Sequence, residues 1–187
     1  KPTSTQSTDH AMTLEHALML HQNGQLAAAK EAYQALLQPE PQCRVLYFLS
    51  ILESELGNPL AAIEAIQQAI GISPFVPDYQ VLKGKLQLQN GLLEDAHQAF
   101  KKATMMQPCA DHFFLLGQVN QQLGDLSAAK KSLKEAAKCD PNHVDTLLQL
   151  GLIYDAEGKE QRSLQLWTKG HQVAPQQPQI CEVLAAW

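Results

Sequence analysis

The stretch GLLEDAHQAFKKATMMQP, residues 91 to 108, begins at a glycine, continues for the length of one helix and ends at a proline. Ala96, Phe100 and Ala103 are four and three places apart, so they lie on one face of that helix. Small residues on both sides of a bulky one leave gaps that a neighbouring helix can approach closely. The pattern predicts a helix built for packing, with no side chains among these three that could do chemistry.

Four further stretches of eighteen residues share this pattern. They are GQLAAAKEAYQALLQPEP at 24 to 41, GNPLAAIEAIQQAIGISP at 57 to 74, GDLSAAKKSLKEAAKCDP at 124 to 141 and GKEQRSLQLWTKGHQVAP at 158 to 175. Their glycines and prolines recur at alternating steps of 33 and 34 residues. Glycine permits a sharp turn and proline cannot continue a helix, so each copy is predicted to be a helix between a turn and a stop. In the second copy Asn58 is predicted to cap the helix and Pro59 to take its first position.

Each copy has one small and one bulky place in common. The sixth place is small, as Ala29, Ala62, Ala96, Ala129 and Ser163, and the tenth is bulky, as Tyr33, Ile66, Phe100, Leu133 and Trp167. A further helix precedes each glycine and has its own small place, at Ala17, Ser50, Gly84, Gly117 and Gly151. We interpret these places, including the aromatic residues Phe100 and Trp167, as core.

This period of helix, turn, helix and proline resembles the tetratricopeptide repeat (TPR) over about residues 10 to 175. The aromatic residue that the family has near the start of the first helix is mostly absent, since Thr13, Leu46, Gln80, Phe113 and Leu147 stand there. The resemblance implies an all-α fold, a right-handed superhelical solenoid of five TPR helix-turn-helix units plus a C-terminal helix.

The repeat also predicts the domain organisation. Residues 1–9 are polar and are expected to be a disordered lead-in. The five units are expected at about 10–42, 43–76, 77–109, 110–143 and 144–177. Residues 178–187 are expected to form a terminal capping helix or the start of a further repeat.

The last ten residues are unusually apolar for a cap, whose outer face should be polar. The apolar residues are Ile180, Val183, Leu184 and Trp187. We therefore interpret the chain as a segment of a larger bacterial TPR-containing protein, and we regard these four residues as a surface for self-association.

Composition excludes several classes of function. A net charge of -5 argues against a nucleic-acid partner held through phosphates, and no apolar run is long enough for membrane insertion. The four cysteines are far apart and form no C-x-x-C pair, so we expect reduced thiols and a cytoplasmic location. A periplasmic location is the alternative, if a signal peptide has been removed.

No pattern in the sequence indicates catalysis. The seven histidines form no H-E-x-x-H motif, and no G-x-S-x-G motif, phosphate-binding glycine loop or calcium loop occurs. We expect no catalytic residues, no metal site and no cofactor, and hence a protein that is not an enzyme.

In TPR proteins the concave-facing residues lie four, eight and eleven places after the start of each unit. From these places we take the partner-binding groove to contain Leu14, Leu18, Tyr47, Ile51, Val81, Lys85, Leu88, Phe114, Gln118, Leu148 and Leu152. Members that clamp a C-terminal carboxylate need several cations there, and this set has only Lys85. The asparagine ladder of the members fused to O-linked N-acetylglucosamine transferases is absent as well, with Phe48 at one of its places.

The groove assignment has an alternative, in which the register is shifted by one or Tyr47, Phe48 and Phe114 lie between helices. Three polar residues, Glu53, Gln87 and Asn120, stand where the family usually has an aromatic residue. Burying them without partners would cost about 1 to 3 kcal/mol each, so we expect them to reach water or to form hydrogen bonds across repeats.

The resemblance implies a non-catalytic protein-protein interaction scaffold that binds a partner helix or extended peptide in a largely apolar groove. The alternative is the N-terminal arm of a larger bacterial enzyme, supplying substrate or partner binding. The stretch ALMLHQNGQLAAAKEAYQALL, residues 17 to 37, resembles TPR repeats that precede glycosyltransferase, sulfotransferase or methyltransferase domains.

Overall fold

A computed structural model of the chain describes residues 13–187. Within that range the backbone forms helices α1 (Leu14–Gln22), α2 (Leu26–Leu36), α3 (Cys43–Glu55), α4 (Pro59–Ile72), α5 (Pro77–Gln89), α6 (Leu93–Met106), α7 (Ala110–Gln122), α8 (Leu126–Cys139), α9 (Val144–Ala156), α10 (Glu160–Val173) and α11 (Pro178–Ala186), and no strand. The prediction of an all-α fold with five helix pairs and a final helix is confirmed. The predicted lead-in, residues 1–9, and the first three residues of the first unit lie outside the described residues.

The chain divides into two compact units, residues 1–74 and 75–187. In the described part, the first unit contains α1 to α4, and each helix packs on the next along the chain. The second unit contains α5 to α11, again with consecutive helices in contact. First helices of successive pairs also touch, as α1 and α3 do in the first unit and α7 and α9 in the second.

The turn inside each helix pair is formed at a repeat glycine. These five glycines have φ between 70° and 80°, in the left-handed region that side chains with a Cβ rarely adopt. The N–H of the residue after the glycine bonds a carbonyl five residues back, as Asn58 N–H does to Glu53 O at 2.8 Å. This arrangement ends the first helix and satisfies its last carbonyls, which explains why glycine recurs at this place.

The core follows the small and bulky places that the sequence predicts. All five residues at the small place and all five at the bulky place are buried, and Phe100 and Trp167 are at most 2% exposed. The bulky side chains Phe100, Leu133 and Trp167 lie against the small place of the preceding helix. A Cβ added to Gly84 would stand 2.6 Å from Phe100 Cε1, so the helices approach as closely as glycine permits.

The three polar residues at the family's aromatic place are all buried. Glu53 pairs with Lys30 Nζ at 2.7 Å across the repeat boundary, and Asn120 Nδ2 donates to Ser132 Oγ at 3.4 Å. Gln87 differs, because its buried Oε1 accepts no hydrogen bond from the residues that the structure describes. Glu53 therefore has the expected contact across repeats, whereas Asn120 bonds within its own repeat and Gln87 Oε1 has no partner among the described residues.

At the start of α4, one of the two capping predictions is confirmed and the other is wrong. Pro59 is the first residue of that helix, as predicted. The Asn58 side chain makes no capping hydrogen bond, because its Nδ2 donates instead to Glu53 Oε2 at 2.9 Å. The Glu53 carboxylate thus has two partners, which accounts for its burial.

Two further properties concern the described part as a whole. None of its helices combines the length and the apolarity needed to cross a bilayer. None of its four cysteines is in a disulfide.

Candidate partner-binding groove

The first unit has a groove between its two first helices, α1 and α3. It has a volume of about 420 Å³ and is lined by Leu18, His21, Gln22, Phe48, Ile51 and Glu55. The small residue Ala17, which is fully buried, is part of the core cluster beneath these helices. Leu18 and Phe48 pack on that cluster while remaining partly exposed. The groove floor is therefore apolar and backed by core.

One end of the groove is polar. Three side chains from different helices form hydrogen bonds with one another there. The His21 ring lies between α2 and α3, with Nδ1 at 3.1 Å from the Tyr33 hydroxyl and Nε2 at 3.0 Å from Glu55 Oε2. A neutral imidazole satisfies both contacts if Nδ1 accepts from Tyr33 O–H and Nε2–H donates to Glu55. Burial, and to a smaller extent the Glu55 charge, raises the pKa of Tyr33, which keeps its hydroxyl protonated as the donor. The chain of contacts positions the Glu55 carboxylate, which is half exposed, at the groove end.

The structure places the four predicted groove residues of the first unit on α1 and α3, all partly buried. Leu18 and Ile51 line the groove. Leu14 packs on the core cluster beneath it. The Tyr47 ring contacts the Phe48 ring edge to face, with centroids 5.3 Å apart.

The predicted residues of the second unit differ more in their surroundings. Lys85 and Leu152 are exposed, and Val81 and Gln118 are partly buried. Leu88 and Phe114 are also partly buried, and each packs on a core cluster of its own. Phe48 and Phe114 thus each pack on a core cluster and stay partly exposed, and the alternative in which Tyr47, Phe48 and Phe114 lie between helices stays a prediction.

Leu148 is a correction to the predicted groove. Its side chain is 5% exposed and forms a core cluster with Trp167 and Ile180. Its carbonyl also accepts a hydrogen bond from Trp167 Nε1 at 3.3 Å. This side chain is unavailable to a partner, because the helices that follow α9 cover it.

The predicted self-association surface needs a similar correction. Ile180 is fully buried in the cluster with Leu148 and Trp167, and Val183 and Leu184 pack on the same cluster. Trp187 is 51% exposed. Of the four residues, Ile180 cannot contribute to a contact between copies and Trp187 is the most accessible.

Sequence reasoning left four groove-lining residues out of the predicted set: His21, Gln22, Phe48 and Glu55. Phe48 stands at a place where ladder-type TPR proteins bind extended peptides, so that resemblance could have identified it. His21 stands eleven places after the start of its unit, which is one of the family's groove places. His21 and Glu55 are 34 residues apart, one repeat, and this spacing was the available signal for their contact.

The groove can bury apolar side chains and can accept hydrogen bonds at Glu55. In residues 13–187 no group of three or more His, Cys, Asp or Glu side chains is placed to hold a metal ion.

Comparison with known proteins defines the family. The tetratricopeptide repeat model matches residues 14–77, 49–111 and 81–144, which together cover more than half of the chain. The chain belongs to the tetratricopeptide repeat family. The TPR fold is in general a non-catalytic scaffold for protein-protein interaction, and its partners are proteins or peptides.

The individual proteins that resemble this chain share 40% of its residues or fewer over the matched part. The chain is 40% identical over 127 residues to tetratricopeptide repeat protein 8 of Caenorhabditis elegans, a match that covers 67% of this chain and 22% of the relative. The chain thus spans about a fifth of that protein's length. It is similar to the crystal structure of MamA, with a TM-score of 0.76 and 18% identity, over 91% of this chain and 97% of that one. It is also similar to YrrB, described as a TPR protein with an unusual peptide-binding site, with a TM-score of 0.72 and 16% identity, over 91% and 89% of the two chains. At these identities the structural likeness shows the fold.

Proposed function

We propose that this chain is a non-catalytic scaffold that binds a partner helix or an extended peptide in the groove between α1 and α3. The observation that carries the proposal is the apolar floor of that groove, formed by Leu18, Phe48 and Ile51. These side chains remain partly exposed, although Leu18 and Phe48 also pack on the core cluster of the unit. Apolar surface left open in a concave site is the usual mark of a binding surface.

Energetics set the expected strength of binding. Full burial of one Leu, Ile or Phe side chain contributes roughly 1.5 to 3 kcal/mol. Three such anchors give about 5 to 9 kcal/mol, whereas association costs about 4 to 15 kcal/mol. A micromolar complex, at about -8 kcal/mol, therefore requires additional contacts. Leu14 and Tyr47 lie on the same two helices and are the candidates to supply them.

The Glu55 carboxylate defines the polar part of the partner. It is half exposed and is oriented by His21 at one end of the apolar floor. A partner that places a cation or an N–H donor beside two or three apolar side chains complements this arrangement. The peptide-binding site reported for YrrB is compatible with the proposal, since that protein has a similar fold.

The proposal is tested by selecting short peptides that bind the intact chain from a displayed random library. The affinity of a selected peptide is then measured by calorimetry for the wild-type chain and for Ile51→Glu. A carboxylate on the groove floor should weaken binding at least about tenfold, because an unpaired charge would be buried by the peptide. A selected peptide that binds Ile51→Glu as well as the wild type would refute the groove.

Leu60→Glu is the matched control for that experiment. Leu60 is 83% exposed on α4 in the same unit. Its replacement by glutamate is the same change, from an apolar side chain to a carboxylate. It should leave the affinity within about twofold. Circular dichroism of both variants distinguishes loss of the site from loss of the fold.

A cytoplasmic location fits the same proposal. None of the four cysteines is in a disulfide, as is usual for proteins of a reducing compartment.

A further inference from the structure

Basic residues are concentrated on the second helices of the last two helix pairs. Helices α8 and α10 carry six Lys or Arg side chains, Lys130, Lys131, Lys134, Lys138, Arg162 and Lys169, against two carboxylates, Glu135 and Glu160. The chain as a whole has a net charge of -5, so composition alone does not explain this cluster. In the first unit the place of Lys131 is taken by Glu31 and Glu64. At this place α8 therefore has a cation where both second helices of the first unit have a carboxylate.

The Tyr154 ring joins the basic residues of α8 and α10 into one surface. Lys130 Nζ lies 4.4 Å from the ring centroid, Lys159 Nζ 5.8 Å and Arg162 Cζ 5.6 Å. Three cations from two helices and the intervening turn therefore meet over one aromatic ring. One groove of about 340 Å³ follows α8 on the Lys130 side, and another of about 380 Å³ is lined by Tyr154, Arg162, Leu166 and Lys169.

The geometry around the ring already binds one carboxylate. Glu157 is 2.6 Å from both Lys130 Nζ and Lys159 Nζ. Hydrogen bonds from Lys130 and then Lys159 lower the pKa of Glu157 to about 2. The site therefore stabilises a carboxylate in its charged form.

Most of the remaining cations are not neutralised within the described residues. Lys138 pairs with Glu135 on its own helix, at 2.7 Å. In residues 13–187, no carboxylate lies within 4.0 Å of the cationic groups of Lys131, Lys134, Arg162 and Lys169. These four groups are available to an anionic ligand.

We propose that this basic surface, formed by Lys130, Lys131, Lys134, Arg162 and Lys169, with Lys130 and Arg162 over the Tyr154 ring, binds an acidic segment of a partner protein. It is separate from the groove between α1 and α3 and lies in the other unit of the chain. Lys131, Lys134 and Lys138 follow one side of α8 over about 10 Å of helix, which three residues of an extended peptide span. Carboxylates spaced along a short peptide match this layout.

A peptide fits the surface better than a continuous polyanion does. Glu135, Glu157 and Glu160 are interspersed among the cations, and the chain is acidic overall. A nucleic acid or an anionic bilayer has dense negative charge that would be repelled by these carboxylates and by the net charge. Individual side-chain carboxylates can instead pair with single cations between the resident ones.

The test measures the anisotropy of a fluorescein-labelled oligoglutamate peptide titrated with the intact chain at about 50 mM salt, where screening is weak. Lys134→Glu and Arg162→Glu, made singly, should each weaken binding about tenfold or more, because a favourable contact becomes a repulsive one. Arg44→Glu is the matched control. It makes the same change in net charge from an exposed position on α3 in the first unit, and it should change the affinity less than about twofold.

Two results would overturn the proposal. One is a wild-type chain that does not bind oligoglutamate, and the other is an equal loss of affinity in Arg44→Glu, which would mean that net charge alone matters. Phosphatidylserine vesicles and short single-stranded DNA serve as competing probes. Tighter binding of either probe than of oligoglutamate, lost in Lys134→Glu, would replace the acidic peptide with that ligand. Circular dichroism of each variant confirms that the fold is retained.

Discussion

Gly151 and Gly170 are both tightly packed helical glycines, and they differ in what stands against them. A Cβ at Gly151 would overlap Trp167 Nε1, part of a rigid ring that is also held by its hydrogen bond to Leu148 O. A Cβ at Gly170 would lie 2.6 Å from Ile180 Cδ1, the end of a flexible side chain. Replacing a helical glycine by alanine otherwise gains up to about 1 kcal/mol. The neighbouring side chain therefore decides the sign of each substitution.

We expect Gly151→Ala to lower the free energy of unfolding by about 1 to 3 kcal/mol, since the Trp167 ring must move. Gly170→Ala should change it by less than about 1 kcal/mol in either direction, because Ile180 can rotate away. Urea denaturation of the two variants measures the difference. Adding Trp167→Leu to Gly151→Ala should reveal coupling between the two sites. Equal effects of the two alanines would show that ring contact is not what requires glycine at residue 151.

Gln87 is the second residue whose energetics can be tested directly. Its Oε1 is buried and accepts no hydrogen bond in the described part of the chain. Methionine has a similar length and no oxygen, so Gln87→Met should stabilise the chain by about 1 to 3 kcal/mol. Asn120→Leu is the comparison, because it removes the bond to Ser132 and should give no such gain. Thermal denaturation distinguishes them, and an unchanged melting temperature for Gln87→Met would indicate that this oxygen is hydrated.

At the level of helices, local chemistry is what made the fold predictable. Glycine at φ near 70° to 80° and proline at a helix start or end act within a few residues, so the repeat could be read directly. Burial of Phe100 and Trp167 followed from their spacing alone.

The candidate sites were less predictable, because they depend on contacts between helices. Leu148 was assigned to the groove, and the positions of Trp167 on α10 and Ile180 on α11 show that it is core. The Lys130, Tyr154 and Arg162 cluster involves three helices, and no motif in the sequence indicates it. Similarly, the buried charge of Glu53 is balanced by Lys30, which lies on the preceding helix pair.

Glu157, in the turn before α10, pairs with Lys130 of α8 and with Lys159. The contribution of these contacts to stability should depend on pH. The pKa of Glu157 is about 2 in the folded chain and 4.5 without these contacts, so its contribution to stability is complete above about pH 4.5 and is lost as the pH falls toward 2. Glu157 is exposed, and the contribution is therefore small and screened by salt. The melting temperature of Glu157→Gln should fall less than that of the wild type between pH 5 and pH 3. Identical pH profiles would contradict a stabilising role for this pair of contacts.

Glu157→Gln removes a stabilising contact, but it should strengthen ligand binding. Glu157 occupies Lys130 and Lys159, so Glu157→Gln should release both cations and tighten oligoglutamate binding severalfold. Glu160→Gln is the control, since it removes one carboxylate at the start of α10 that has no described ion pair. Anisotropy titrations of the two variants make the comparison. Equal tightening would attribute the effect to net charge and not to the release of Lys130 and Lys159.

For the whole molecule, the division into two compact units separates the two proposed binding surfaces. The groove between α1 and α3 belongs to residues 1–74, and the basic surface belongs to residues 75–187. Repeat proteins are stabilised mainly by contacts between neighbouring repeats, so a local change need not reach distant helices. One surface could then be altered while the other is preserved.

Hydrogen exchange of the Gly151→Ala variant tests this independence. The substitution perturbs the contact of α9 with Trp167 on α10, so amides in α9 to α11 should exchange faster than in the wild type. Amides in α1 to α4 should keep their rates, because nearest-neighbour coupling weakens with each repeat. Leu52→Ala is the reciprocal variant, since Leu52 is fully buried on α3, and it should accelerate exchange in α1 to α4 instead. If either variant accelerates the slowest amides of both units equally, the chain unfolds as one cooperative body and the two surfaces are energetically coupled.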